Sequence, residues 1–477
     1  MALTGRKVIY TDVREITDDN VLEVLNKAVS VHINNRSDIE YLYKYYKGDQ
    51  PVLSRTKKYR DDICNKIVEN RANKIVSFKT GYLMGEPVQY INRSTKGERQ
   101  TDDIIALNDF MFAEDKAAKD KELADWFHIC GTAYRLILPV SDREANAPFR
   151  IYTLDPRNTF VVYYSGVGHE PVMGVTYVVR DDMTTVYSVY TRNRFYEIPV
   201  GGPSGVIPAE PLSEFPGEVR RDTFYYGDIP IVEYPANDAR LGAFEIVLPL
   251  LDAINTVTSN RVDGVEQFVQ AILALKGMDL EDGVFQKLKE LGGLKLPPDG
   301  DAKYISQELN QSQTQTLVDY MEQQVILICG MPNRNGGSST SDTGSAVVLR
   351  DGWSDAETRA KDTELTFCLS EKRFLAIAIR FVNNFRDLNV RLADVGIKFT
   401  RRNYENILAK AQVLTTLLGS GKVHPRLAFE ISGLWADPDL AYMVSEEYVR
   451  EQEDKTAKEL EEAANAATEN AALNADV

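Results

Sequence analysis

A helical pattern runs without a proline from Ser345 to about Asn383, and the segments that lead into it constrain the fold more than any other feature of the chain. Straight, that helix would span about 57 Å at 1.5 Å per residue, with Gly352 the position expected to bend it. Before it lies a polar Gly/Ser stretch, NRNGGSSTSDTG, at 333–344. Before that, helical spacing over about 311–329 stops at Gly330-Met-Pro332. A small mixed unit comes earlier still. AILALKG (271–277) reads as a strand, LEDGVFQKLKEL (280–291) as a short helix and GGLKLPPDGDAKYI (292–305) as an extended return. A helix over 243–263, with Pro249 near its first turns, opens the series. The order is therefore helix, αβ insertion, helix, pliant loop, long helix.

The first half has a different character. Residues 18–48 read as helix, with Asp18 and Asp19 as N-cap candidates and Val21, Val24, Leu25, Ala28 and Val29 at helical spacing. A second helix is expected from about Asp61 to Phe78, broken by Tyr82-Leu-Met-Gly-Glu-Pro87, and a third over 102–130. From Thr132 to about Ile231 the chain turns to strands, and 201–217 is a Gly/Pro-rich loop. After the long helix a strand pair flanks 388–400. Helices follow at 403–418 and 425–450, and an Ala, Glu and Asn-rich tail is expected to fray from Glu451. The fold class is α+β.

At 477 residues the chain is too long for one ordinary domain, and 43% hydrophobic residues supply a large core. No apolar run is long enough for a membrane span or a signal peptide, so a soluble, cytoplasmically assembled protein is expected. Cys64, Cys130, Cys329 and Cys368 are scattered without CxxC spacing and read as free thiols. A net charge of −16 argues against ordinary nucleic-acid binding, which needs clustered cations to displace counterions.

Three motifs suggest chemistry and fail on context. Asp342-Thr-Gly-Ser345 matches the aspartic-protease tetrapeptide, but that chemistry needs two carboxylates sharing a proton, and only one copy exists, in a polar loop. Gly419-Ser-Gly-Lys422 resembles the end of a phosphate-binding loop. Thr416 stands where the first glycine belongs and Val423 where a hydroxyl belongs, so a helix–helix turn is expected. Gly166-Val-Gly168 reads as a hairpin turn. His32, His128, His169 and His424 are far apart, and nothing pairs a nucleophile with a base. No enzyme, metal or cofactor is expected.

Four local segments carry a family resemblance. Asn70-Arg-Ala-Asn-Lys-Ile-Val76 followed by Gly81-Tyr-Leu-Met-Gly-Glu-Pro-Val88 is one, and Leu251-Asp-Ala-Ile-Asn255 with Ser259 is the second. Gly344-Ser-Ala346 at the head of the long helix and Phe399-Thr-Arg-Arg-Asn403 complete the set. In this order, and with this order of elements, the chain resembles the portal proteins of tailed double-stranded DNA phages with long non-contractile tails, over roughly 20–450. The resemblance implies an N-terminal arm (1–17) and a wing (18–240 with 385–402). It implies a stem (241–264 and 308–331), a clip (265–307), a tunnel loop (332–344), a long kinked helix (345–384), a crown (403–450) and a flexible tail (451–477). It also implies a homo-oligomeric ring of about twelve subunits, closed by cyclic contacts, at one capsid vertex of the virion.

Within that resemblance the loop of Asn333, Arg334, Asn335, Gly336, Gly337, Ser338, Ser339, Thr340, Ser341, Asp342, Thr343 and Gly344 is the expected DNA-channel element. Its glycines give pliancy and its hydroxyls give exchangeable contacts. One arginine per subunit suits transient contact with phosphate, without sequence readout. An acidic channel wall would keep double-stranded DNA mobile where a basic one would hold it. The implied partners are further copies of the chain, DNA, the large terminase subunit, a head–tail connector, and major capsid and scaffolding proteins. The rival reading is another virion ring or scaffold protein with no DNA channel.

Overall fold

The computed structural model describes residues 4–58, 61–93, 98–140, 145–201, 207, 211–224, 227–269, 272–276, 301–305, 311–333, 352–385, 388–400, 407–435 and 438–473. In chain order, β1 (Ile9–Thr11) and α1 (Val21–Lys47) precede α2 (Arg71–Leu83), β2 (Gln89–Asn92), α3 (Glu98–Ala113) and α4 (Lys116–Cys130). The β-rich region holds β3 (Thr132–Pro139), β4 (Phe149–Leu154), β5 (Thr159–Tyr164), β6 (Pro171–Val179), β7 (Thr185–Tyr190), β8 (Arg194–Val200), β9 (Arg220–Thr223) and β10 (Ile231–Pro235). Then come α5 (Leu248–Val269), β11 (Ile272–Lys276), β12 (Asp301–Ile305), α6 (Gln311–Cys329), α7 (Trp353–Phe385) and β13 (Val395–Lys398). The last helices are α8 (Ile407–Gly419), α9 (Pro425–Ser432) and α10 (Pro438–Leu473).

Two sheets organise the first half. The larger has the order β1-β5-β6-β7-β8-β9, antiparallel except where β1 runs parallel to β5, with Ile9 opposite Val162. The segment expected as an N-terminal arm thus adds a strand, and beside it Arg6 is buried against Glu245. The smaller sheet, β10-β3-β4, lies between two cores. Ile137, Phe149, Ile151 and Val232 face α3, α4 and α7. Tyr134, Leu136 and Ile231 face the larger sheet through Val161 and Phe195. Covered on both faces, β3 carries a continuous buried run instead of alternating polarity.

Helix α1 bridges two further cores. Its first turns pack Val21, Leu22, Val24 and Leu25 on the larger sheet. Its later turns put Ile39, Leu42 and Tyr45 against α2, α5 and α6.

Three sequence expectations are revised by the structure. Asp18 does not cap α1. Its Oδ1 accepts from Tyr196 Oη (2.8 Å) and Arg194 (2.6 Å), and its Oδ2 from Arg221 (3.1 Å), while Asn20 occupies the N-cap. The 102–130 helix is two helices, because Asp115 takes a left-handed conformation (φ 50°). Helix α2 begins ten residues later than the pattern suggests, at Arg71 instead of Asp61; the cause appears below. Gly352, expected to bend the long helix, has φ +80° and stands immediately before α7; residues 345–351 on its other side lie outside the described residues. The tail from Glu451, expected as a fraying helix, is helical as far as Leu473, as its Ala, Glu and Lys content favours.

Candidate functional site

Helices α5 and α6 pack side by side, and each is divided between an inward and an outward face. On α6, Val318, Met321, Val325 and Cys329 recur at helical spacing and are buried. Leu317 (48% exposed), Tyr320 (59%) and Leu327 (65%) lie outward on the same helix. On α5, Leu248, Leu251 and Ile254 supply the apolar contact, while a second buried stripe is polar: Asn255, Ser259 and Asp263.

That polar stripe explains the late start of α2. Asn255 Oδ1 accepts from the Glu69 backbone N–H (3.0 Å), Ser259 Oγ from that of Ile67 (3.0 Å), and Asp263 Oδ1 from that of Asn65 (2.7 Å). Four residues of helix rise about 6 Å, close to the 6.6–6.8 Å or so of two extended residues. The three bonds therefore keep register along the strap 64–70. A helix over 61–70 would need the same N–H groups for its own ladder, and the α5 side chains take them instead. Asn70, left-handed at φ 40°, then turns the chain into α2, a conformation asparagine tolerates.

Further contacts fix both ends of the strap. At the Asn255 end, its amide donates to Gln50 Oε1 (2.5 Å) and Thr258 Oγ1 donates to Glu69 (2.6 Å). Gln50 in turn donates to Asn70 Oδ1 (3.2 Å). At the other end, Lys57 (2.6 Å) and Arg55 (3.0 Å) pair with Asp263 Oδ2. Burial pushes the Asp263 carboxyl up, but Lys57 and the Asn65 N–H groups outweigh it and hold it below the usual carboxylate range. Two segments that sequence reading singled out separately, the one beginning at Asn70 and the one from Leu251 to Ser259, are thus parts of one joint. Asp263 was missed; the i, i+4, i+8 recurrence of Asn255, Ser259 and Asp263 along α5 was its only sequence signal.

Of the expected channel loop only Asn333, at the end of the segment after α6, is described; Arg334 through Gly344 lie outside the described residues. The described residues that flank this stretch lie close together. A Cβ placed on Gly352 would come within 3.8 Å of Met331 O. Arg359 of α7 donates to Ile328 O (2.8 Å) at the C-terminus of α6, where a cation suits the helix dipole. Trp353 packs near Phe78 and Tyr82 of α2, and Tyr82 Oη donates to Glu357 (2.9 Å). Of the insertion, β11 and β12 pair antiparallel with Ile272 opposite Ile305; the helix expected at 280–291 lies outside the described residues.

The remaining motifs take structural roles where they are described. Gly419-Ser-Gly-Lys422 joins α8 to α9, and His424 Nδ1 accepts from the Arg426 N–H (3.2 Å) as the N-cap of α9. Gly166-Val-Gly168 turns β5 into β6. His32 is buried against Arg157 O, and burial lowers its pKa to about 4. His128 is buried beside Thr80, its pKa lowered to about 3 by burial and by Lys79. Burial raises Cys130 to about 12 and Cys329 to about 11, so neither is a thiolate at neutral pH. Asp342-Thr-Gly-Ser345 lies outside the described residues. Among the described residues no group of three His, Cys, Asp or Glu side chains is placed to hold a metal.

The comparisons with known proteins follow. The family model described as phage portal protein, SPP1 Gp6-like, matches residues 26–469. No curated protein matches the chain. Among solved structures, a chain of the virion of a native gene transfer agent particle is similar at 13% identity and a TM-score of 0.45, over 83% of this chain and 94% of that one. A chain from the neck of an empty particle of that agent, computed with C6 symmetry, gives 12% identity and a TM-score of 0.43, over 76% and 90%. One from the neck of the native particle, computed with C12 symmetry, gives 13% and 0.41, over 76% and 89%.

Proposed function

Because the chain belongs to the SPP1 Gp6-like family of phage portal proteins, structural components of the virion and not enzymes, we propose that it closes into a ring of about twelve copies through which double-stranded DNA is packaged and ejected. The family match over residues 26–469 carries this reading. In it, α5 and α6 form the stem, 265–307 the clip, 333–344 the tunnel loop and 403–450 the crown. The outward leucines and tyrosine of α6 support assembly, since a row of exposed apolar side chains on one helix asks for cover from another copy. The clip, an insertion between the stem helices, is the docking surface for the large terminase subunit during filling and for the head–tail connector afterwards. Capsid and scaffolding proteins contact the ring from the shell.

Electron microscopy and light scattering of the purified chain test the ring. The expected result is a closed ring with a central hole wide enough for duplex DNA. A monodisperse monomer at micromolar concentration would overturn the reading.

The loop has its own test. In this reading Gly336 and Gly337 give the loop the backbone freedom to follow DNA. Replacing Gly336 and Gly337 with proline removes backbone freedom. Rings should still form, while packaging slows or stops short, read as the length of DNA protected in filled heads. Full-length DNA at normal rates in that variant would exclude a mobile channel loop.

A further inference from the structure

We propose that Asn255, Ser259 and Asp263 are positioning residues for DNA passage: their ladder to the strap sets the rotation of the first stem helix, and with it the direction in which the inserted clip is presented. The inference rests on the portal reading. All three rungs lie on one face of α5 and grip alternate backbone N–H groups of one strap. Turning α5 by a single residue, about 100°, would break all three at once. Sliding it by one turn would move each acceptor to the next N–H and leave the last one empty.

Apolar packing alone tolerates such shifts, because dispersion contacts are not directional. Hydrogen bonds to buried N–H groups do not tolerate them, because an unmet buried donor is costly. Ser259 is fully buried and Asp263 nearly so, so water does not replace a lost rung readily. The ladder also has a polarity. Asn255 itself is held by the neutral amide of Gln50, and Asp263, nearest the clip, by Lys57 and Arg55. A buried ion pair at this distance is screened little by salt, so the Asp263 rung holds at high ionic strength. Arg71 extends the same clamp to the second stem helix through Glu322 (2.5 Å).

Hydrogen exchange on the assembled protein reads the rungs one by one, and packaging reads their purpose. In Ser259→Ala the Ile67 amide should exchange at least about tenfold faster, with the strands of the larger sheet unchanged. Ser259→Thr, which keeps the hydroxyl, should restore protection. In Asp263→Ala the Asn65 amide should likewise exchange faster. Rings of Ser259→Ala should remain closed, yet fill fewer heads with DNA, and Ser259→Thr should recover filling. Unchanged exchange at Ile67 in Ser259→Ala would show that the ladder does not hold the strap. Faster exchange with normal filling would overturn the positioning role and leave the portal reading standing. Failure of the unaltered protein to support filling would instead strike the portal reading itself.

Discussion

Glu371→Ala should destabilise the first-half fold by about 3–5 kcal/mol, the range for breaking a buried ion pair from one side. Glu371 lies in the middle of α7 and is fully buried. Its Oε1 accepts from Tyr90 Oη (2.5 Å) and pairs with Lys116 (2.9 Å). Its Oε2 accepts from Arg135 (3.1 Å) and Tyr234 Oη (2.6 Å). Asp120 pairs with the same two cations, Lys116 at 2.6 Å and Arg135. Two cations and two carboxylates balance. Removing Glu371 leaves Lys116 and Arg135 with one carboxylate between them and two tyrosine hydroxyls without an acceptor. The measurement is the shift of the urea unfolding transition, followed with probes in α4 and β3. A loss below about 1 kcal/mol would put this group on a par with a surface pair.

The same residue fixes a pH dependence. Burial works to raise the Glu371 carboxyl, but Lys116, Arg135 and the two tyrosines outweigh it and hold it down at about 2, against an ordinary 4.5. A depressed carboxylate stabilises the folded state above its unfolded value and ceases to do so as pH falls through the folded one. Stability should therefore decline from about pH 4.5 toward 2, and Glu371→Gln should flatten that part of the profile. Because α7 begins just after the proposed channel loop and reaches this cluster at Glu371, loosening the cluster should also reduce DNA filling.

Leu317→Glu with Leu327→Glu should abolish ring assembly at concentrations where the unaltered chain is fully assembled. The two leucines are exposed on the outer face of α6, and each is worth about 1.5–3 kcal/mol when buried. Leu317 is 48% and Leu327 65% exposed, so even the lower figure sums to about 1.7 kcal/mol and weakens each subunit contact more than tenfold. Placing carboxylates at a dry contact costs more again. Analytical ultracentrifugation should find monomers, with the circular dichroism of the folded chain retained. Val167→Glu, at the tip of the β5–β6 hairpin, is the control and should leave rings intact. If the double variant sediments like the unaltered protein, α6 is not a contact face and the ring closes elsewhere.

The sequence alone determined the order of elements, because that order is written in local signals. Helical spacing over 311–329 matches α6 end for end, since Gly330, Met331 and Pro332 stop it there. The run YRLILPV reads as strand because β-branched and aromatic residues fit a covered sheet, and β3 confirms it. The Gly-Ser-Gly turn before His424 and the hairpin at Gly166 were legible because turns depend on residues a few positions apart. With the family segments in sequence order, that was enough to recognise the portal class.

Contacts between distant positions were decided only in three dimensions. Residues 61–70 carry a helical pattern, yet the N–H groups of Asn65, Ile67 and Glu69 go to side chains nearly two hundred positions later. Asp18 looks like a helix cap, yet Arg194 and Arg221 draw it to the larger sheet. Glu371 sits among residues that would suit a solvent-facing stretch of α7, and its burial follows from Lys116 and Arg135 on other elements. The physical reason is common to the strap and Glu371. Helix propensity and capping differ by about 1 kcal/mol or less per residue, whereas a buried polar group left without its partner costs more than that. Where the fold brings such a group into the interior, its partner decides the local structure, and that partner is invisible to any reading of neighbouring residues.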